Sequence, residues 1–280
     1  MANDHAALRA ACKAGTGLCT IVGVEGSFSR RLGAQLAVAT DGNVTGSLAD
    51  GCLEKQLARE VLDGGERRIM RFGAGSEMID FRLPCGSGLD ILIDPDPDME
   101  ACRSAVKTLD DRKPASLHLP LEDRHRLAHR NYIPALELVL FGEGPELDAL
   151  STLAAASGFG VTTHAKDGSG LALGRAPDLP RPDRWRAIVL LFHDHEWEQA
   201  ILEWALQSPA FYIGAQGGRT ARDGRVDRLF EAGFDASEIA RVTSPVGLTR
   251  HSREPASLAI SALAQIVGAY DEVHPHHDVG

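Results

Sequence analysis

Residues 136–154, LELVLFGEGPELDALSTLA, read as a strand, a glycine turn and a helix. Leu136 to Phe141 is a nearly continuous apolar run, which suits a strand buried on both faces of a parallel sheet. Gly142 and Gly144 follow, and apolar residues then recur at helical spacing. In this context a glycine turn offers backbone amides to a phosphate at the start of a helix. The third glycine of a dinucleotide fingerprint is replaced by Leu147.

The surrounding sequence keeps the same rhythm. GVTTH (160–164), AIVLLF (187–192) and AFYIG (210–214) are short apolar strands, with helical stretches at 145–158, 196–207, 225–233 and 254–270. Such alternation predicts a Rossmann-like, doubly wound α/β domain over residues 135–274. The second strand ends VTTHAKDG with no acidic residue at its tip, where a carboxylate would hold a ribose hydroxyl; Asp167 comes later. The phosphate half of a nucleotide signal is present and the ribose half is missing, so NAD(P) is not expected. A domain that kept the turn and lost the nucleotide is the alternative.

Two more strand ends carry candidate groups, at the edge where ligands gather in such sheets. AIVLLF runs into His193, Asp194 and His195; Asp194 is either a ligand contact or a helix cap. The two histidines alone fall short of a zinc set. AFYIG runs into Gly217, Gly218, Arg219, Thr220 and Arg222 at a helix entry. Backbone amides and guanidinium charge there make an anion cradle, in preference to an ordinary turn with solvated arginines.

The first half reads differently. TDGN (40–43) is a hairpin signal between two short runs. Residues 53–63 form an amphipathic helix, and further strands are read at 17–26, 66–72 and 89–95, with a second helix at 98–111. This predicts a small α+β domain over 1–112. Residues 113–134 hold three prolines and three histidines and are read as a solvated linker; 275–280 are read as a tail.

Composition limits the function classes. At 280 residues the chain exceeds one compact core, and its formal net charge of −10 disfavours general nucleic-acid binding. No apolar run approaches the ~20 residues that span a bilayer, and the first residues lack a signal pattern, so a cytoplasmic protein without membrane partners is expected. The five cysteines include no C-x-x-C pair and are expected as reduced thiols. Cys12, Cys19 and Cys102 fall on helix or strand positions and read as packing. Cys52 and Cys85 sit beside glycines; each is either a small buried hydrophobe or a soft metal ligand. With Asp50 and Glu54 beside it, Cys52 reads as a ligand conditional on a metal rather than a catalytic nucleophile. The three tryptophans read as core or interface filling.

GSFSRRLGAQLAVATDGNVTGSLADGCLEKQL (26–57) and LPCGSGLDILIDP (83–95) together resemble the N-terminal elements of the XdhC/CoxI family of xanthine dehydrogenase accessory proteins. LFGEGPE, LLFHDHEWEQAIL, FYIGAQGGRTARDGRVDRL and SPVGLTRHSREPASLAISALAQI resemble that family's Rossmann-like domain in order and spacing. Gly217-Gly218 stands where Gly-Ser is usual, and Gln265 where a glutamate is usual. The resemblance implies a chaperone-like carrier rather than an enzyme. Such a carrier binds molybdenum cofactor of the molybdopterin type, holds it during sulfuration and delivers it to the large subunit of a molybdenum hydroxylase. A cysteine desulfurase-like sulfur donor is an implied second partner, and a homodimer is an expected assembly. The implied contacts are Cys52, Glu54, Cys85, Gly142, Gly144, His193, Asp194, Gly217, Gly218 and Arg219, with Cys52 and Cys85 toward molybdenum across a cleft between the halves. Two alternatives stand beside this reading. One is a nicotinamide-dependent oxidoreductase using His193 or Tyr212 for proton transfer; the other is an adaptor without cofactor.

Overall fold

The computed structural model describes residues 2–48, 51–76, 86–121, 127–166, 171–249 and 252–273. The chain divides into two compact units, one ending at Pro134 and the next beginning at Ala135. Cys85, Asp50, Asp167 and the 275–280 tail lie outside the described residues.

The first unit is built on an antiparallel sheet. Its elements are α1 (Ala2–Ala10), β1 (Gly17–Glu25), β2 (Gln35–Val38), β3 (Val44–Gly46), α2 (Gly51–Leu62), β4 (Arg68–Gly73), β5 (Gly88–Asp94) and α3 (Met99–Asp110). The strand order is β3-β2-β1-β5-β4. Asp41 and Gly42 turn β2 into β3, with Val38 opposite Val44. In α2, Leu53, Leu57 and Val61 recur every fourth residue and are buried. Each fully buried leucine is worth about 1.5–3 kcal/mol, which fixes the helix against the sheet.

The segment expected as a linker is not a solvated connector. It forms a hairpin of β6 (Ala115–His118) and β7 (His129–Tyr132). Leu117, Leu119, Leu127 and Tyr132 join the hydrophobic core of the first unit. Arg130, only 2% exposed, donates from Nε to the Gly33 carbonyl at 2.6 Å and lies over the Tyr132 ring. Tyr132 Oη donates to Gln35 Oε1 at 2.6 Å, and Gln35 Nε2 donates to Thr20 Oγ1 at 3.0 Å. Buried polar groups satisfied in this way fix the hairpin to β2.

The second unit is a doubly wound parallel sheet. Its elements are β8 (Glu137–Gly142), α4 (Gly144–Ala156), β9 (Gly160–Ala165), β10 (Arg186–Leu191), α5 (Glu198–Leu206), β11 (Tyr212–Ala215), α6 (Arg219–Glu231), α7 (Ala236–Ile239), β12 (Val242–Thr243) and α8 (Pro255–Glu272). The order is β9-β8-β10-β11-β12, and every pairing is parallel. Strand order therefore reverses between β8 and β10, and the crevice beyond the carboxyl ends of these two strands is where such sheets bind ligands. Leu138, Leu140, Ile188, Leu190 and Ile213 are buried, as the continuous apolar runs require. Trp185 and Trp204 are buried as well, and Trp197 stacks on Phe192.

Candidate functional site

At the carboxyl edge of the second sheet lies a cavity of about 470 Å³. Glu146, His193, Gln216, Gly217, Gly218, Pro245, Val246, Thr249, Ser252, Arg253, Glu254 and Leu258 line it. Four connections contribute, those that follow β8, β10, β11 and β12, and all belong to one unit.

Gly142 closes β8 where the sheet leaves no room for a side chain. A β-carbon there would stand 2.4 Å from the Leu191 carbonyl oxygen, in the backbone of β10. Gly144 follows with φ +74°, the left-handed region that favours glycine. Together they turn the chain into α4 and set Glu146 at the cavity wall. The fingerprint's third glycine is the buried Leu147. Neither Gly142 nor Gly144 lines the cavity itself.

Three helices, α4, α6 and α8, open toward this cavity through Glu146, Gly218 and Glu254, and none has a side-chain cap hydrogen bond. Elsewhere in the chain α3 and α7 start with aspartate caps, Asp98 and Asp235. The first turn of α6 contains no acidic residue and carries the exposed Arg219 and Arg222. Cations at the positive end of a helix dipole disfavour the helix by about 0.3–1 kcal/mol each, a cost that a bound anion would offset. Gly217 has φ +123°, and its missing β-carbon would meet Ala221 Cβ at 2.9 Å. Gly218 is open: nothing lies within 4 Å of a β-carbon there.

The polar lining is mixed. His193 Nε2 is 3.3 Å from Glu146 Oε2 and most of its ring is exposed. Gln216 Oε1 is buried and has no hydrogen-bond partner. Asp194 has the plainer of its two expected roles: its carboxylate accepts from Glu196 N at 3.1 Å and caps a short 3₁₀ turn. It does not line the cavity. Lys166, at the tip of β9, sits 3.7 Å from both Glu143 Oε2 and Asp194 Oδ2. A lysine thus stands near the place where a ribose-binding carboxylate was missing from the sequence.

Arg219 faces a neighbouring cavity of about 460 Å³ on the far side of Gly218, with His195, Thr220, Ala221 and Arg228. Gly218 lines both cavities. Tyr212, the alternative proton-transfer group, is unsuited to that task. Burial pushes its phenol up, and its hydroxyl donates to Gln265 Oε1 at 2.7 Å. Gln265 Oε1 also accepts from Gly247 N at 2.7 Å and so holds the 245–249 loop against α8. A glutamate would accept the same two bonds.

In the first unit, Cys52 is exposed in the first turn of α2. Glu54 accepts from Leu48 N at 3.2 Å, which ties the preceding loop to the helix. Cys19 and Cys102 are buried, and burial pushes both thiols up to about 12. Among the described residues no group of three or more His, Cys, Asp or Glu is arranged to hold a metal ion. No helix among them is long and apolar enough to cross a membrane.

Sequence reading missed Ser244 to Val246, Thr249, Ser252 and Arg253, which sit beyond the last short strand. It also missed the Glu198–Arg225 pair beneath the anion loop. The signal for the first group was the SPVG turn and the uncapped, proline-led start of α8.

Residues 138–266 match the XdhC Rossmann domain model, and residues 11–73 match the XdhC and CoxI family model. The molybdenum cofactor insertion chaperone PaoD of Escherichia coli K12 is 30% identical over 281 residues, covering 94% of this chain and 86% of that one. A protein of Bacillus subtilis 168 described as a probable xanthine dehydrogenase subunit is 24% identical over 310 residues, covering 89% of this chain and 92% of that one. A crystal structure described as a xanthine dehydrogenase from Bacillus halodurans superposes with a TM-score of 0.73 over 96% of both chains. At 19% identity that likeness concerns the fold alone. The ordered motifs, the two family models and a full-length relative agree, and the chain belongs to the XdhC and CoxI family.

Proposed function

We propose that this protein is a carrier that binds molybdenum cofactor as cargo and inserts it into a molybdenum hydroxylase, and that it performs no catalysis of its own. The observation that carries this reading is the cavity at the carboxyl edge of the second sheet. Gly218, which opens α6 with neither a side-chain cap nor an acidic residue in the first turn, stands in its wall, and the buried Gln216 Oε1 lacks a donor. A phosphate suits the Gly217–Gly218 turn and the α6 amides. A heterocyclic N–H suits Gln216, and Glu146 and Glu254 are further acceptors for such groups. The kinship with PaoD supports the nature of the cargo.

In this proposal the cargo is of the molybdopterin type, and Cys52, whose thiol is exposed in the first unit, is a sulfur contact for it. Cys85 is a second sulfur contact. Sulfuration occurs while the cargo is held, with a cysteine desulfurase-like donor, and the recipient is the large subunit of a xanthine dehydrogenase-type enzyme. The protein works in the cytoplasm and as a homodimer. NAD(P) is not the cargo in this proposal, a reading supported by Lys166, rather than an acidic residue, at the tip of β9.

The test is purification from a cofactor-producing host, followed by molybdenum analysis and fluorescence of the oxidised pterin. Near-stoichiometric molybdenum with pterin is expected, and Cys52→Ala should lower the molybdenum content and the activation of the target. Protein free of both molybdenum and pterin, with Cys52→Ala equal to wild type in target activation, overturns the reading. Micromolar binding of NAD(H) would favour an oxidoreductase instead.

A further inference from the structure

Among the described residues of the second unit, Glu198 and Arg225 are the two charged side chains with essentially no exposure, 0% and 1%. They lie 27 positions apart, on α5 and α6. Arg225 donates to Glu198 Oε2 from Nε at 3.1 Å and from Nη2 at 2.7 Å. Nη2 also donates to the Gln216 carbonyl at 2.8 Å, and Nη1 donates to the Ser244 hydroxyl at 2.6 Å. The other carboxylate oxygen, Glu198 Oε1, stands 3.1 Å from His195 Nδ1, a contact by distance without hydrogen-bond geometry. One ion pair therefore touches the three segments that leave β10, β11 and β12.

Those segments build the cargo cavity. Gln216 lines it, and so do Pro245 and Val246, next to Ser244. His195 packs beside Gly217, where an added β-carbon would fall 3.1 Å from His195 Cε1. Stability does not account for such a pair. Removing two charges from water costs several kcal/mol per ion, and well-packed apolar replacements are often neutral or stabilising. An apolar pair fills the same volume, but it cannot direct hydrogen bonds at a carbonyl and a hydroxyl on two different loops.

We propose that Glu198 and Arg225 are positioning residues that fix the three carboxyl-edge loops in their cargo-binding arrangement. This inference rests on the cargo reading above for its consequence, though not for its geometry. The pair touches the loops and not the cargo.

The test is the double variant Glu198→Leu/Arg225→Met beside wild type. Its melting temperature should stay within about 5 °C of wild type. Amide exchange at 216–219 and 244–249 should accelerate by about tenfold, and cofactor content after purification should fall by a similar factor, equivalent to about 1.4 kcal/mol. Exchange at those amides equal to wild type overturns the proposal, whatever the cofactor content. If the double variant does not fold, Arg225→Lys together with Ser244→Ala removes the guanidinium fork and the hydroxyl while keeping the buried charge balanced. Faster loop exchange in it supports the proposal, and unchanged exchange overturns it. Wild type that carries no cofactor defeats the cargo reading while leaving the exchange result to decide the role of the pair.

Discussion

Replacing Gly142 by alanine tests the packing that creates the crevice. The new β-carbon would lie 2.4 Å from the Leu191 carbonyl oxygen and 2.7 Å from its carbon. Both atoms belong to the backbone of β10, which pairs with β8 in the register Leu191 to Gly142. Neither strand can move aside without disturbing that ladder. The hydrogen bond from Glu143 N to Leu191 O, 3.2 Å long, is the first at risk. Overpacking of this kind costs about 1–3 kcal/mol, and loss of the bond adds about 0.5–1.5 kcal/mol. For a unit of roughly 140 residues, the melting temperature should fall by about 5–20 °C. All three tryptophans, Trp185, Trp197 and Trp204, lie in this unit, so tryptophan fluorescence during heating follows it selectively. Gly218→Ala is the control, because open space surrounds that position. Its melting should stay within about 2 °C of wild type. Equal melting of G142A and wild type, or equal damage from both substitutions, would refute the steric argument.

Three further outcomes follow from local geometry. Iodoacetamide applied to the native protein at about pH 8 should modify the exposed Cys52 and spare Cys19 and Cys102 until denaturant is added. Peptide mass mapping reads this, and native-state labelling of Cys19 would contradict its burial. Glu54→Ala should cost about 0.5–1.5 kcal/mol by freeing the Leu48 amide, whereas Glu54→Gln keeps an acceptor and should cost less; urea unfolding curves decide between them. The Ser237 hydroxyl and the amides of Ser237 and Glu238 hold the Asp235 carboxyl below the usual carboxylate range. Its folded value lies beneath its unfolded one, so its cap on α7 is complete above about pH 4 and is lost as pH falls through the folded value. Amide exchange across 236–239 should show that loss, and Asp235→Asn should flatten it.

The β8–α4 turn was legible because its glycines answer to backbone geometry that only glycine meets. The Asp41-Gly42 hairpin and the packing roles of Cys19 and Cys102 were legible for similar local reasons. The 113–134 segment was not. Its strands are four residues long, its prolines and histidines read as solvated, and it buries Arg130 by pairing it with a carbonyl 97 positions away. Long-range partners of that kind leave no periodicity. The same holds for Glu198 and Arg225, each an ordinary surface residue until the fold brings them together. Asp194 was readable as either ligand or cap, and only the position of the Glu196 amide separates the two. Gly218 was read through its family pattern, yet its surroundings have room for the serine that pattern prefers.

The starts of α4, α6 and α8, which lack side-chain caps, would give an empty and a loaded protein different mechanical characters. Whatever anion settles among those amides becomes their missing acceptor, and its binding free energy is added to the folded state of that unit alone. If the protein carries its cargo there as proposed, a vacant molecule would be softer along one rim, more open to proteases and quicker to be cleared than an occupied one. Turnover itself would sort charged carriers from spent ones, with no separate sensor.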